Sequence, residues 1–359
     1  HFLCKFIELL LNLYFFKKKT NIADRIDSTL LNGAFRAINQ VLKYSQISKI
    51  IIFPLVAVTE VAKQSKYWSL IVNELDWKTF FSYADSNVDK FQQSVMYVLS
   101  QLLQDKQHIG RLIKEEGIYP ILSCCKSSEK LVASLGFTCF EIIAKHEEYW
   151  ESIVEFGGLA VLSYLLRKNV SSTSADYQKK TRLHSANILS KISANDNIME
   201  ALYKEDVGVI LSVLLQKDQG VDTADLQSCG IKILCNSSNQ NSAKMVNCVM
   251  KPANKILMKM NAILENKNPS PSFQNKTRLL GLFKTICGSN EKNAKDVAKV
   301  GLVPQLVDEF LINPLFASDY EDESDADGSE PQRVPINKFS AEIVSVSLKI
   351  IYTLSQWDR

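Results

Sequence analysis

Glycine and proline are scarce, at 13 and 9 in 359 residues. An all-β chain needs a tight turn about every 8–12 residues, so that class is excluded. The histidines, His1, His108, His146 and His184, are far apart and show neither HxxxH nor HExxH spacing. They do not form a metal site and are expected at surface or capping positions. The eight cysteines (Cys4, Cys124, Cys125, Cys139, Cys229, Cys235, Cys248 and Cys287) contain no CxxC pair. Most lie in apolar helical runs, where a thiol behaves as a small hydrophobe, so they read as reduced, buried thiols of a cytoplasmic chain. Cys124 and Cys125 sit mid-helix on an apolar face and read as core, not as a nucleophile. There is no GxxxxGK[ST] phosphate loop, no GxGxxG after a strand and no GxSxG elbow. No catalytic residue, metal ligand, cofactor or small-molecule substrate is therefore expected. A net charge of +3 is too small to argue for nucleic acid. The short basic runs Lys17–Lys19 and Lys179–Lys180 lie in or beside loops and lack aromatic platforms. The most apolar segment, FLCKFIELLLNLYFF (2–16), is interrupted by Lys5, Glu8 and Asn12. It is shorter than the ~20 residues that cross a bilayer, so it reads as an amphipathic helix packed on the rest of the chain. The sequence starts at His1 rather than Met and is expected to be part of something longer.

What is present is apolar material, 46% of residues, arranged with a long period. A single core stops growing at ~250–300 residues, whereas an array of repeats does not meet that limit. The stretch 116–166 shows the unit: a Gly-led apolar helix, a longer apolar helix, then a restart at a second Gly. The longer helix recurs as PLVAVTEV (54–61), VMYVLSQL (95–102), GFTCFEII (136–143), SANILSKI (185–192), GIKILCNS (230–237), LLGLFKTI (279–286) and SLKIIYTL (347–354). The fifth positions are Val58, Leu99, Phe140, Leu189, Leu234, Phe283 and Ile351, separated by 41, 41, 49, 45, 49 and 68 residues. The long intervals contain polar insertions at 168–181, 265–276 and 318–338. The 45 needs only a slightly longer turn near Lys217–Ala224. The last insertion is acidic and Pro-flanked, and it is expected to be disordered. Its carboxylates in 319–330 could lie over a basic groove and block it. Trp68 and Trp150 fall in similar settings, KYWSLI and EYWESI, 82 residues apart. They are expected to fill a structural slot between units.

Shorter helices precede the anchors: GIYPILSCC (117–125), GLAVLSYLL (158–166), VGVILSVLL (207–215), ANKILMKMNAIL (253–264) and GLVPQLVDEF (301–310). Gly117, Gly158 and Gly301 open three of them, where a side chain would obstruct a sharp turn. Before these come HIGRLIKEE, YWESIVEFG, NIMEALYKE and NAKDVAKV, again helical. A ~40-residue period in this order resembles armadillo or HEAT repeats. The Gly-x-x-x-x-Leu opening and Leu-x-Asn-Leu-like close resemble the armadillo family, with LVPQLVDEF after AKVG and ILCNSSNQNSAKMV carrying the likeness best. The resemblance implies an all-α, right-handed armadillo-type α-solenoid, a superhelix of about seven repeats. Residues 1–45 would be capping helices or a degenerate repeat, 46–316 repeats, 317–338 the acidic loop and 339–359 the last repeat helix.

In that family the third helices line a concave groove. By resemblance the groove positions are the third and seventh of each motif. Val56, Tyr97, Thr138, Asn187, Lys232, Gly281 and Lys349 hold the third, and Glu60, Gln101, Ile142, Lys191, Asn236, Thr285 and Thr353 the seventh. The candidate partner-binding residues are Glu60, Tyr97, Gln101, Asn187, Lys191, Lys232, Asn236 and Thr285. Importin-alpha-type grooves carry repeated Asn and Trp; here only Asn236 keeps the Asn and no Trp occurs, which argues against an import receptor. Nor is the groove uniformly basic, as in beta-catenin, although Lys191, Lys232 and Lys349 give the C-terminal half a basic tendency. The implied function is a non-enzymatic protein–protein interaction scaffold or adaptor. The alternative is a regulatory or co-chaperone module acting on a folded client such as a motor protein or small GTPase. The expected location is cytoplasmic, with the nucleus as the alternative.

Overall fold

The structure is a computed structural model describing residues 28–45, 47–167, 175–216, 223–265, 272–307 and 337–357. Segments 2–16, 168–174, 266–271 and 317–336, on which several readings above fall, lie outside these residues; the polar stretch read as a loop at 168–181 is helical from Ala175 on, Lys179 and Lys180 included, and that read at 265–276 is helical from Phe273 on. Among the described residues there are 19 helices and no strand. Helices α1 (Ser28–Tyr44) and α2 (Ser48–Ala62) come first. Triplets follow: α3 (Trp68–Glu74), α4 (Trp77–Ser82) and α5 (Asp89–Leu102), then α6 (Lys106–Lys114), α7 (Ile118–Cys125) and α8 (Lys130–Ala144). Next are α9 (Trp150–Glu155), α10 (Gly158–Arg167) and α11 (Ala175–Ile192), then α12 (Asp196–Lys204), α13 (Val207–Leu214) and α14 (Thr223–Met250). The chain closes with α15 (Ile256–Glu265), α16 (Phe273–Ser289), α17 (Glu291–Lys299), α18 (Leu302–Gln305) and α19 (Asn337–Trp357). Within α14, Asn241 has φ −151° and ψ 87°, so this element is two helices: the third of one repeat and the first of the next. The expected order of short, middle and long helix is thus the observed one.

The anchors carry the core. Val58, Leu99, Leu189 and Phe283 are 0% exposed, and Phe140 and Leu234 are 1%. Ile351 departs from the pattern: on α19, Ser347 and Ile350 are buried instead, and Ile351 is only half-buried. It lies on α19, the last described helix.

Two backbone ladders mark the repeat more sharply than the side chains do. The first is an extended residue just after each third helix. It is Gln64, Asp105, His146, Asn195, Asn241 and Asn290, with φ from −90° to −170°. Four of these are Asp or Asn, and each accepts a backbone N–H of the following helix: Asp105 from Gln107, Asn195 from Asn197, Asn241 from Lys244 and Asn290 from Asn293. This is N-capping, which satisfies donors that the first turn leaves unpaired. The second ladder is a left-handed residue between first and second helices: Glu116, Gly157, Asp206, Lys255 and Gly301. These are all the positive-φ residues among the described residues.

The second ladder corrects the role given to the glycines. Gly117 and Gly158 are not the left-handed residues; Glu116 and Gly157 just before them are. Gly117 instead donates to Leu112 O at 2.8 Å while Glu116 donates to Ile113 O at 2.9 Å, a Schellman-type close to α6. Gly301 is itself left-handed, with φ 88°. Glu116, Asp206 and Lys255 carry a Cβ in a conformation that costs ~1–2 kcal/mol for a non-glycine residue. Glu116→Gly should therefore stabilise the chain by roughly 1 kcal/mol, the added unfolded-state freedom offsetting part of the relief. An unchanged or lower urea midpoint would contradict this.

The chain forms two compact parts, residues 1–184 and 185–359. In the first, α2, α5 and α8 pack in series, and α7 packs on α8. Neighbouring repeats are joined by the Cys139 thiol on Met96 O (3.6 Å), the Arg111 guanidinium on Asn73 Oδ1 (2.7 Å) and the Asn39 amide on Glu74 O (2.7 Å). Trp68 and Trp150 occupy the expected structural slot. Their indole N–H groups donate to Ala62 O (2.7 Å) and Ala144 O (2.9 Å), the last residues of α2 and α8. In the second part, α14, α16 and α19 pack in series. There the Asn261 amide donates to Val300 O at 2.8 Å, as Asn39 does to Glu74 O at the first described junction of the N-terminal part. Both bonds end at the close of the next repeat's first helix (α3 and α17), and Asn261 sits on a second helix, so α1 takes the second-helix position of a leading repeat.

Candidate binding face

The third helices bury their anchor faces, and α8, α11, α14 and α16 leave exposed residues on the opposite side, whereas residues 91–102 of α5 leave none. On α14 the stripe runs Asp225, Ser228, Lys232, Asn236 and Asn239. On α16 it runs Gln274, Thr277, Gly281, Lys284 and Gly288. These are helical spacings of three and four, so one face of each helix is polar because the opposite face holds the core.

In the first part, Glu60, Tyr97 and Gln101 are half-buried on α2 and α5. The Glu60 carboxylate pairs with Lys63 at 2.6 Å. Gln101 reaches only Ser100 Oγ, at 3.5 Å. Ile142, the groove position of the reference repeat, is 8% exposed and belongs to the core. The open residues around it are Leu131, Ser134 and Thr138 on α8 and Lys145 just after it. Here α8 also meets α11: His184 Nδ1 hydrogen-bonds Glu141, and its ring stacks on Phe137 with centroids 5.7 Å apart. The Glu141 carboxylate raises the His184 pKa, against partial burial and the Lys180 charge, which lower it. A raised pKa means that the bond's contribution is complete below the ordinary histidine value near 6.5 and is lost as pH rises through the folded-state value. His184→Gln should therefore cost more stability at pH 6 than at pH 8. Equal shifts of the urea midpoint at the two pH values would show that the bond does not titrate.

In the second part, Asn187, Lys191 and Lys232 are exposed, while Asn236 and Thr285 are half-buried. Asn187 Oδ1 accepts the Cys229 thiol at 3.2 Å. Asn236, the one residue matching the family's groove Asn, turns its amide inward. Its Nδ2 donates to Ser193 Oγ (2.9 Å) and Ser190 O (3.4 Å). Gln240 adds bonds to Ser193 O (3.2 Å) and Ala194 O (2.9 Å). Together they tie α14 to the last carbonyls of α11, which a helix end leaves open. Thr285 returns its hydroxyl to Gly281 O at 3.1 Å. So Asn236 and Thr285 use their donors within the repeat array, whereas Lys191 and Lys232 point to solvent. The seventh-position rule overlooked Lys284, exposed on α16 one residue before Thr285. It also passed over Leu348 and Tyr352 on α19, 51% and 67% exposed. A helical wheel through Lys349 would have found them.

Burial raises the pKa of the Cys124 and Cys287 thiols to about 12 and of Cys235 and Cys248 to about 11, so they are weakly nucleophilic at neutral pH. Among the described residues no three His, Cys, Asp or Glu side chains are placed to hold a metal ion. No described helix is long and apolar enough to cross a membrane.

No protein-family model matches the sequence. No curated protein matches it either. Solved structures do match. An engineered protein is 15% identical over 91% of this chain and 69% of its own, with a TM-score of 0.57. A designed armadillo repeat protein is 16% identical over 78% of this chain and 100% of its own, with a TM-score of 0.51. Another, from a set of computationally designed armadillo repeat proteins for modular peptide recognition, is 14% identical over 77% of this chain and 99% of its own, with a TM-score of 0.53. At such identities the likeness concerns the fold: this chain has an all-α armadillo-type repeat fold.

Proposed function

We propose that this chain is a protein-binding scaffold that holds its partners on the exposed faces of its third helices. Armadillo-type folds typically serve as protein-binding scaffolds, since stacked repeats give extended surfaces without a reaction centre. The observation that carries the reading is the set of exposed polar side chains on the third helices α8, α11, α14 and α16, which includes Thr138, Asn187, Lys191 and Lys232. Such side chains are available to a partner without unpacking a repeat.

The test is affinity enrichment from cell extract with three forms of the chain. Lys191→Glu with Lys232→Glu alters the third-helix face. Lys114→Glu with Lys204→Glu alters exposed first-helix positions by the same charge. Proteins lost with the first pair and retained with the second support the reading. Loss with the first-helix pair alone would move the binding face elsewhere and end it.

A further inference from the structure

We infer that the third-helix face of residues 185–359 binds an acidic, extended peptide segment of a partner protein. This rests on the reading of third helices as binding faces and adds the partner's chemistry. The starting point is an imbalance of charge pairing. Of five lysines on first helices of this part, three are matched, Lys244 with Glu200 at 2.6 Å, Lys295 with Glu291 at 2.5 Å and Lys299 with Asp296 at 3.1 Å, while Lys204 and Lys292 have no ion-pair partner among the described residues. Lys191, Lys232, Lys284 and Lys349, from four successive third helices, are all exposed and have no ion-pair partner among the described residues. The described third-helix stripes of this part offer one exposed carboxylate, Asp225, against those four. Arg278, half-buried on α16, adds to the positive side.

Spacing and shape favour an extended ligand. Packed helices lie ~8–10 Å apart, so four rows span roughly 25–30 Å. An extended chain advances ~3.3 Å per residue and would cross them in about eight or nine residues. A carboxylate at every second or third residue then meets a lysine row. At the α19 end Leu348 and Tyr352 flank Lys349 and are 51% and 67% exposed. They would take an apolar side chain at one end of the acidic run. Each exposed lysine contributes little alone and is screened by salt, so affinity must come from several contacts together.

The probe is a fluorescein-labelled ten-residue synthetic peptide alternating Glu and Ser, with Leu at one end, titrated with the full chain by fluorescence anisotropy. Binding should weaken with added salt, and Lys232→Glu with Lys284→Glu should weaken it at least tenfold at unchanged circular dichroism. Lys204→Glu with Lys292→Glu, on first helices, should leave it within twofold. Equal affinity of the two charge-reversed forms, or equal binding of the same peptide with Lys for Glu, would overturn the inference. So would absence of binding at low salt. A fourth arm neutralises the seven carboxylates of residues 319–330 to Asn and Gln. If only that form binds the probe, the occupant is the chain's own acidic segment and not a partner. If cellular partners depend on Lys191 and Lys232 yet the acidic peptide does not bind, the acidic class falls and the scaffold reading stands.

Discussion

Phe140→Ala should lower stability by ~3–5 kcal/mol, the range for removing a fully buried aromatic ring. Phe140 is 1% exposed at the centre of α8, and its ring edge lies against Gly158 of the next repeat. The truncation empties space between two repeats at once. Well-packed neighbours relax only partly, so a cavity term adds to the lost burial. Urea denaturation followed by circular dichroism measures it. The matched change Ile351→Ala should cost much less, because Ile351 is half-buried at the last described helix. A near-zero effect at Phe140, or a larger one at Ile351, would mean that the assigned phase of the repeat is wrong.

The phase was legible because burial forces it. Six of the seven anchors read from the sequence are at most 1% exposed, and the departure, Ile351, is on the last described helix. The extended ladder after each third helix was legible too, though only in part: Asp105, Asn195, Asn241 and Asn290 are capping residues at intervals that follow the anchors. The left-handed ladder was not legible. Two of its five members, Glu116 and Lys255, carry no sequence signal for positive φ and Asp206 carries only a weak one, while the neighbouring Gly117 and Gly158 carry a strong one. Glycine at those two sites answers to crowding instead of to a turn. The binding face was half legible. The type and position of Asn236 suited a groove, but whether its amide is available depends on Ser190 and Ser193, 46 and 43 residues earlier. Sequence spacing locates a residue on a face and says nothing of what its donors already hold.

The crowding at Gly158 gives the second large effect. A Cβ there would lie 2.7 Å from Ile153 O and 2.6 Å from Ile153 Cγ2, with Phe140 Cζ at 3.2 Å. The nearest backbone atom belongs to α9 and cannot swing away as a side-chain tip can. Gly158→Ala should therefore force the α9–α10 junction apart and cost ~1–3 kcal/mol, as overpacking does. The adjacent Gly157 has the opposite profile: φ is 81° and a Cβ there meets nothing within 4 Å. Gly157→Ala should cost ~1–2 kcal/mol through backbone conformation alone. The two are separated by a double-mutant cycle with Phe140→Ala. Removing the ring opens one wall of the Gly158 site, so Gly158→Ala should be less costly in the Phe140→Ala background than in the native chain. Gly157→Ala should be additive with it, because no contact is shared. Additivity at Gly158 would show that the whole penalty comes from the Ile153 carbonyl and none from the seam between the repeats.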